Sequence, residues 1–400
     1  MRIDRSRSHL SFRKRRRTRI LPITLGFGLV IGILAVSWYW IGERWLQRTP
    51  NEPSIDVQLQ QAARAFSNGD LDSAIEYAQM IWSNHPTYGD VLVLLARALI
   101  YRSYEDYNLA SDRQTALALT TEAYERMPTD TDIIAIHAFT LQANGRTADA
   151  DRVLARALMQ NPHHTLARVT RSLTHGANGV HQQARQEALT VLNTIPDMDA
   201  YRALAFSLSD LGRPNEAIQA IDLALADNDK LLALLFEKAM FSVQAGFFDT
   251  ATATYFRILA FDPPNVKARL RMCELSSILR EADTALSYCQ QVTDFAPTWA
   301  DGWYRLGREH YLRGEFVPAQ DALHRCAMLQ SLQNIPIAER ILDCWILQGE
   351  VSELLGDCQS LLKTYGEYQD MTRVYRLNQT WVYPPEGPAI CLNPTDLEAG

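Results

Sequence analysis

"DGWYRLGREHYLRGEFVPAQDAL", Asp301 to Leu323, sets Trp303, Leu306, Gly307, Gly314 and Ala319 at offsets that no phosphate loop, nucleophile elbow or metal motif uses. The same offsets recur along the chain. Ala74, Ala116, Ala150, Ala184, Ala217, Ala251, Ala285 and Ala319 follow one another at intervals of 42, 34, 34, 33, 34, 34 and 34. Twelve residues before seven of these alanines stands a second small residue: Ala62, Ala138, Ser172, Ala205, Ala239, Cys273 and Gly307. The second unit carries eight surplus residues, which puts Tyr104 at that offset; Ala96, eight positions earlier, takes the small-residue role. Gly69, Gly145, Gly179, Gly212, Gly246 and Gly314 each precede an alanine by five, and Pro86, Pro128, Pro162, Pro196, Pro263 and Pro297 each follow one by twelve.

This is the register of stacked helical hairpins. Small residues at facing positions let antiparallel helices approach closely, and the glycine between them suits a left-handed helix C-cap. Proline cannot continue the second helix and pre-sets the turn into the next hairpin. A period of this length with helix–turn–helix content resembles the tetratricopeptide-repeat (TPR) family from about residue 55 to 330. A degenerate ninth unit follows, with Trp345, Gly349 and Gly356 at matching offsets. The resemblance implies an all-α fold, a right-handed superhelical solenoid of hairpins whose stability comes from neighbour stacking. Trp303 and its companions then serve packing.

Composition supports a large core, with 47% hydrophobic residues in a chain of 400. The net charge of −7 gives the whole molecule no attraction for nucleic acid, but it hides an asymmetry. Residues 1–19 hold nine lysines and arginines against Asp4 alone, and Ile20 to Ile41 follow without a charge. At about 1.5 Å per residue that stretch reaches roughly 33 Å, enough for a bilayer core. Trp38, Tyr39 and Trp40 at its end suit the headgroup region, and the positive-inside rule sets residues 1–19 in the cytoplasm. A cleaved signal peptide is the alternative, with Ala35-Val36-Ser37 as its small-residue site; the long apolar stretch and tryptophan-rich exit favour a retained anchor. The domain organisation expected is a basic cytoplasmic segment (1–19), a transmembrane helix (20–41), a linker (42–55) and about eight repeats (56–330). A degenerate ninth repeat with a capping helix (331–383) and an irregular tail (384–400) complete it. The capping helix is read from "DMTRVYRLNQTWVY", Asp370 to Tyr383.

Candidate chemistry is sparse. His163 and His164 precede a first helix on which His175 lies about three turns on, roughly 16 Å away, too far to share a metal. All six cysteines lie in the final third and none forms C-x-x-C, so no zinc knuckle or thioredoxin-type site is expected. Cys273 and Cys289 sum to 562, the number for facing residues in a hairpin turning near Arg280 to Ala282. They stand as a disulfide, closing a loop for about 3 kcal/mol, or as paired reduced thiols. No catalytic motif, cofactor site or metal site is read from the sequence, and no enzyme is expected.

In the TPR family the first helix of each hairpin lines a concave face that receives an extended peptide or a partner helix. Carried over by register, this groove holds Phe66, Arg97, Phe139, Phe206, Phe236 and Met240, and towards the C-terminus Arg271, Tyr304, Arg305, Arg308 and Tyr311. The lysine and asparagine of the chaperone-binding carboxylate clamp are absent, since Tyr304 and Arg308 occupy the matching positions. The expected function is a membrane-anchored scaffold with an extracytoplasmic solenoid binding a protein or peptide partner. The alternative is an accessory subunit of an envelope assembly system, such as cytochrome maturation or polysaccharide and cell-wall assembly. A reporter active only outside the cytoplasm, fused after Gly400, is expected to be active; activity of a cytoplasmic reporter there would overturn the topology.

Overall fold

The computed structural model describes residues 54–375, 380–385 and 387–392. The predicted cytoplasmic segment and transmembrane helix, and the linker up to residue 53, lie outside the described residues. Among the described residues no helix is long and apolar enough to cross a membrane.

Eighteen α-helices follow one another as nine hairpins among these residues. The first four are α1 (Ile55–Ser67) with α2 (Leu71–Asn84), α3 (Gly89–Arg102) with α4 (Ser111–Arg126), α5 (Thr131–Ala143) with α6 (Thr147–Gln160), and α7 (Thr165–Ala177) with α8 (His181–Leu192). Next come α9 (Met198–Asp210) with α10 (Pro214–Leu225), α11 (Leu232–Gln244) with α12 (Phe248–Phe261), and α13 (Val266–Ile278) with α14 (Ala282–Phe295). The last two are α15 (Ala300–Leu312) with α16 (Phe316–Leu332), and α17 (Asp343–Leu354) with α18 (Cys358–Tyr375).

The alanine ladder is the seam of each hairpin. All eight ladder alanines are at most 1% exposed. Opposite them, Ser172 Oγ donates to the Ala184 carbonyl at 2.6 Å, and a Cβ on Gly307 would meet Leu323 Cγ at 2.7 Å. Close approach leaves room for nothing larger. The glycines between the helices take φ between +72° and +77°, the left-handed C-cap; Arg280 fills that place in the seventh hairpin at φ 61°. Side-chain caps start several helices, among them Asp70 before α2, Asp130 before α5 and Asn265 before α13. First helices of successive hairpins also pack on one another, α3 on α5, α5 on α7 and α7 on α9, so they line the inner curve of the stack.

The C-terminal end departs from the sequence reading. Of the helix expected to run through Tyr383, α18 is described as far as Tyr375, and Thr380–Tyr383 is not helical. That segment turns back to lay Trp381 against Tyr365 and Tyr368, with ring centroids 5.0 and 5.4 Å apart. Gly349 makes the space: a Cβ there would lie 2.1 Å from the Trp381 ring. An aromatic plug thus replaces the separate capping helix. Three disulfides lie in this third of the chain: Cys273–Cys289 across the seventh hairpin, Cys326–Cys344 between α16 and α17, and Cys358–Cys391. Their Cα separations are 5.2, 6.0 and 5.2 Å, and no cysteine is left free. The third ties the short three-ten helix Ala389–Cys391 to the start of α18.

Leucine at Ala217 or Ala251, both fully buried, should overpack the seam and cost about 1–3 kcal/mol in urea unfolding. Leucine at Gln219 or Ala253, both exposed and two positions away, should cost under about 0.5 kcal/mol. Equal losses at all four would show that the ladder is not the packing seam.

Candidate functional site

The surplus residues of the second unit form a strap, Ser103–Ala110, between α3 and α4. The strap reaches across the inner curve to the seventh hairpin. Asp106 accepts from the backbone N–H groups of Val266 (3.3 Å) and Lys267 (3.0 Å), capping α13 from 160 residues away in sequence. Asn265, the residue before α13, donates its side-chain amide to the Glu105 carbonyl at 2.9 Å. Lys267 donates Nζ to the Tyr104 carbonyl, and Tyr107 stacks on Trp299 with centroids 4.5 Å apart. A carboxylate at a helix N-terminus gains from the unpaired donors and the helix dipole together.

Beneath the strap, charged groups pair across the curve. Arg97 meets Asp199 at 2.6 Å, Tyr101 donates its hydroxyl to the same carboxylate, and Arg202 meets Glu237 at 2.6 Å. The Arg202 guanidinium also lies over the rings of Tyr101, Tyr104 and Phe206, each 5.2 to 5.4 Å from the centroid. Burial beside Asp199 raises the Tyr101 phenol well above its ordinary range. Such groups are costly to bury unpaired, so their mutual pairing is what lets the inner curve close at this level.

Beside this closure the inner curve opens into a cavity of about 650 Å³ between α5, α7, α9, α11 and α13. Its apolar lining includes Leu173, Phe206, Phe236, Met240, Tyr255, Leu275 and Ile278, and its polar lining Lys267, Arg271 and Glu274. Tyr104 of the strap forms one wall. Burial lowers the Lys267 amine to about 8, and its Nζ sits 4.3 Å from the Phe236 ring centroid. Glu237, one helix over, has one carboxylate oxygen on Arg202 and the other without a hydrogen bond.

The eleven residues assigned to the groove therefore divide. Phe206, Phe236, Met240 and Arg271 come together in the cavity. Phe66 and Phe139 are buried, at 5% and 1% exposure, and are packing residues: Phe66 sits edge-on to Tyr101. Arg97 is taken up by Asp199, and its guanidinium also covers Phe66. Further along, Arg305 meets Glu274 at 2.7 Å, Arg308 donates to Ser277 Oγ at 3.3 Å, Tyr304 donates to Asp343 at 3.1 Å, and Tyr311 packs on Phe316. These four make a half-buried extension of the concave face outside the cavity. The residues the register missed are Tyr104, Arg202, Glu237 and Lys267. The one signal for them was the 42-residue interval, which marked an insertion but not its destination.

No family model and no curated protein matches the chain. Among solved structures it is similar to a chain of the APC/C hetero-tetramer Cut9–Hcn1, with TM-score 0.55 and 15% identity over 80% of this chain. It spans 61% of that chain's length. It is also similar to the human IFIT1 dimer with PPP-AAAA, at TM-score 0.50 and 14% identity over 78% of this chain and 81% of that one. PilW, a type IV pilus biogenesis factor, gives TM-score 0.45 and 21% identity over 51% of this chain and 94% of that one. These likenesses show the fold, a TPR-like solenoid.

The strap carries its own pH dependence. Burial, with Asp72 and Asp262 nearby, pushes the Glu105 carboxyl from its ordinary 4.5 up to about 8. A value raised in the folded state means that this group's contribution is fullest below about pH 4.5 and is lost as pH rises towards 8. Glu105→Gln should therefore flatten the fall in urea midpoint between about pH 5 and pH 8.5. An identical fall in the variant would remove Glu105 as its source.

Proposed function

We propose that this TPR-like solenoid is a scaffold that seats a protein or peptide partner in its concave cavity. The segment Ile20–Ile41 holds it to a membrane, with the solenoid on the extracytoplasmic side. One observation carries the binding reading. The cavity joins a wide apolar floor (Phe206, Phe236, Met240, Tyr255) to a polar wall on α13, on a rigid stack of helices. Concave, mostly apolar sites with a few convergent polar groups are where folded proteins bind ligands. Met and aromatic side chains on such a floor are also common interface anchors. The extracytoplasmic placement is supported by the charge asymmetry around residues 1–41 and by the pairing of all six cysteines, which suits an oxidising compartment.

A photocrosslinking amino acid tests the site in the full chain, in membranes. Placed at Met240 it lines the cavity; placed at Met159, 81% exposed on the second helix α6, it serves as the outer-face control. A partner adduct is expected at Met240 and absent at Met159. An adduct at Met159 alone, or none at Met240, would overturn the concave site.

A further inference from the structure

We propose that the Cys358–Cys391 disulfide is a redox latch on the end of the solenoid. A dithiol reductant opens it while the other two bridges stay closed, and opening frees the plug segment around Trp381 from the last hairpin. The inference goes beyond the cavity and does not depend on it.

Access singles this bridge out. Cys273, Cys289, Cys326 and Cys344 are at most 1% exposed. The first pair lies in the seam of the seventh hairpin, and the second inside the apolar cluster of Ala300, Trp345, Tyr368 and Met371. Cys358 and Cys391 are both partly exposed. Exchange requires a thiolate to reach one sulfur of the bridge, so a buried disulfide must wait for local unfolding and an exposed one need not.

Position gives the attack a direction. Cys358 is the first residue of α18, a helix of 18 residues, where backbone N–H groups without helical partners favour a thiolate. The thiol of lower pKa leaves faster, so attack falls on Cys391 Sγ and Cys358 Sγ departs. The second thiolate of the reductant then displaces Cys391 Sγ. The dithiol leaves as a disulfide, having given up two electrons and two protons, and both cysteines end as thiols.

The segment depends on the tether. Beyond Tyr383 its backbone hydrogen bonds, Gly387 to Pro384, Cys391 to Pro388 and Leu392 to Ala389, stay within the segment. Before it, the Thr380 and Tyr383 N–H groups donate to the Tyr368 and Tyr365 hydroxyls at 3.1 Å each, and Tyr383 donates its hydroxyl to Glu353 at 2.9 Å. Trp381 fills the notch at Gly349 but stays only half-buried. The bridge joins residues 33 positions apart, and cutting it returns to the released state the chain entropy that closure had removed.

The test treats the full chain in detergent with dithiothreitol, without denaturant, alkylates at intervals and maps the cysteines by mass spectrometry. Cys358 and Cys391 should become labelled at least about tenfold faster than the other four. With glutathione in place of dithiothreitol, the adduct should sit on Cys391 and leave Cys358 free. Hydrogen exchange of the reduced chain should rise about tenfold or more over Thr380–Tyr383 and stay unchanged in α9 and α11. Cys391→Ser should show the same exchange without reductant; if that variant does not fold, the reduced natural chain carries the test. Labelling of all six cysteines together, or of Cys326 and Cys344 first, would overturn the latch. Glutathione on Cys358 would overturn the direction of attack. Selective reduction with unchanged exchange over Thr380–Tyr383 would overturn the release and leave the bridge a static staple.

Discussion

The contact on which this architecture turns is Asp106 on the N-terminus of α13. In a solenoid each repeat touches only its neighbours, so curvature is set by small rotations repeated from hairpin to hairpin. Here a carboxylate from the second hairpin caps a helix of the seventh, and the Tyr107–Trp299 stack reinforces the join. A long-range tie of this kind fixes the curvature between the two hairpins instead of leaving it to the sum of local steps. The α1–α2 turn takes part as well. A Cβ at Gly69 would come within 2.6 Å of the Lys230 carbonyl, so the first hairpin also closes on the loop before α11.

Closing the curve puts charged groups where water is scarce, and the structure meets that demand by pairing. Asp199 takes both Arg97 and Tyr101, while Glu237 takes Arg202. Buried pairs of this sort add little net stability compared with apolar packing, but removing one member is costly because its partner is stranded. Their contribution is to register: Asp199 on α9 and Tyr101 on α3 meet only if the intervening hairpins stack with the right rotation. The cavity inherits its shape from that register, since Arg202 and Glu237 stand at its edge.

The two halves of the solenoid are stabilised by different means. The N-terminal half is closed by the strap and its charge network. The C-terminal half, without a strap, holds all three disulfides and ends in the Trp381 plug under Tyr365 and Tyr368. A terminal repeat has one face with no neighbour, and the aromatic plug covers part of that face on α17 and α18. The seventh hairpin belongs to both regimes, taking the strap at its start and the Cys273–Cys289 bridge at its seam.

What the sequence by itself determined was the hairpin. Ala217, Gly246 and Pro263 act within one unit or on the next, so their chemistry repeats at a fixed period and can be read without knowing where the chain goes. The groove residues followed by register only as far as the register holds: Phe236 and Met240 reach the cavity, but Phe66 and Phe139, assigned to the same face, are buried in packing. A single helix position cannot tell which neighbours will cover it. The tertiary structure alone decided that the strap docks on α13, that Tyr101 meets Asp199, and that the open groove becomes a cavity. Those contacts join residues about a hundred or more positions apart, each pair occurring once, and an interaction without a period leaves no pattern along the chain.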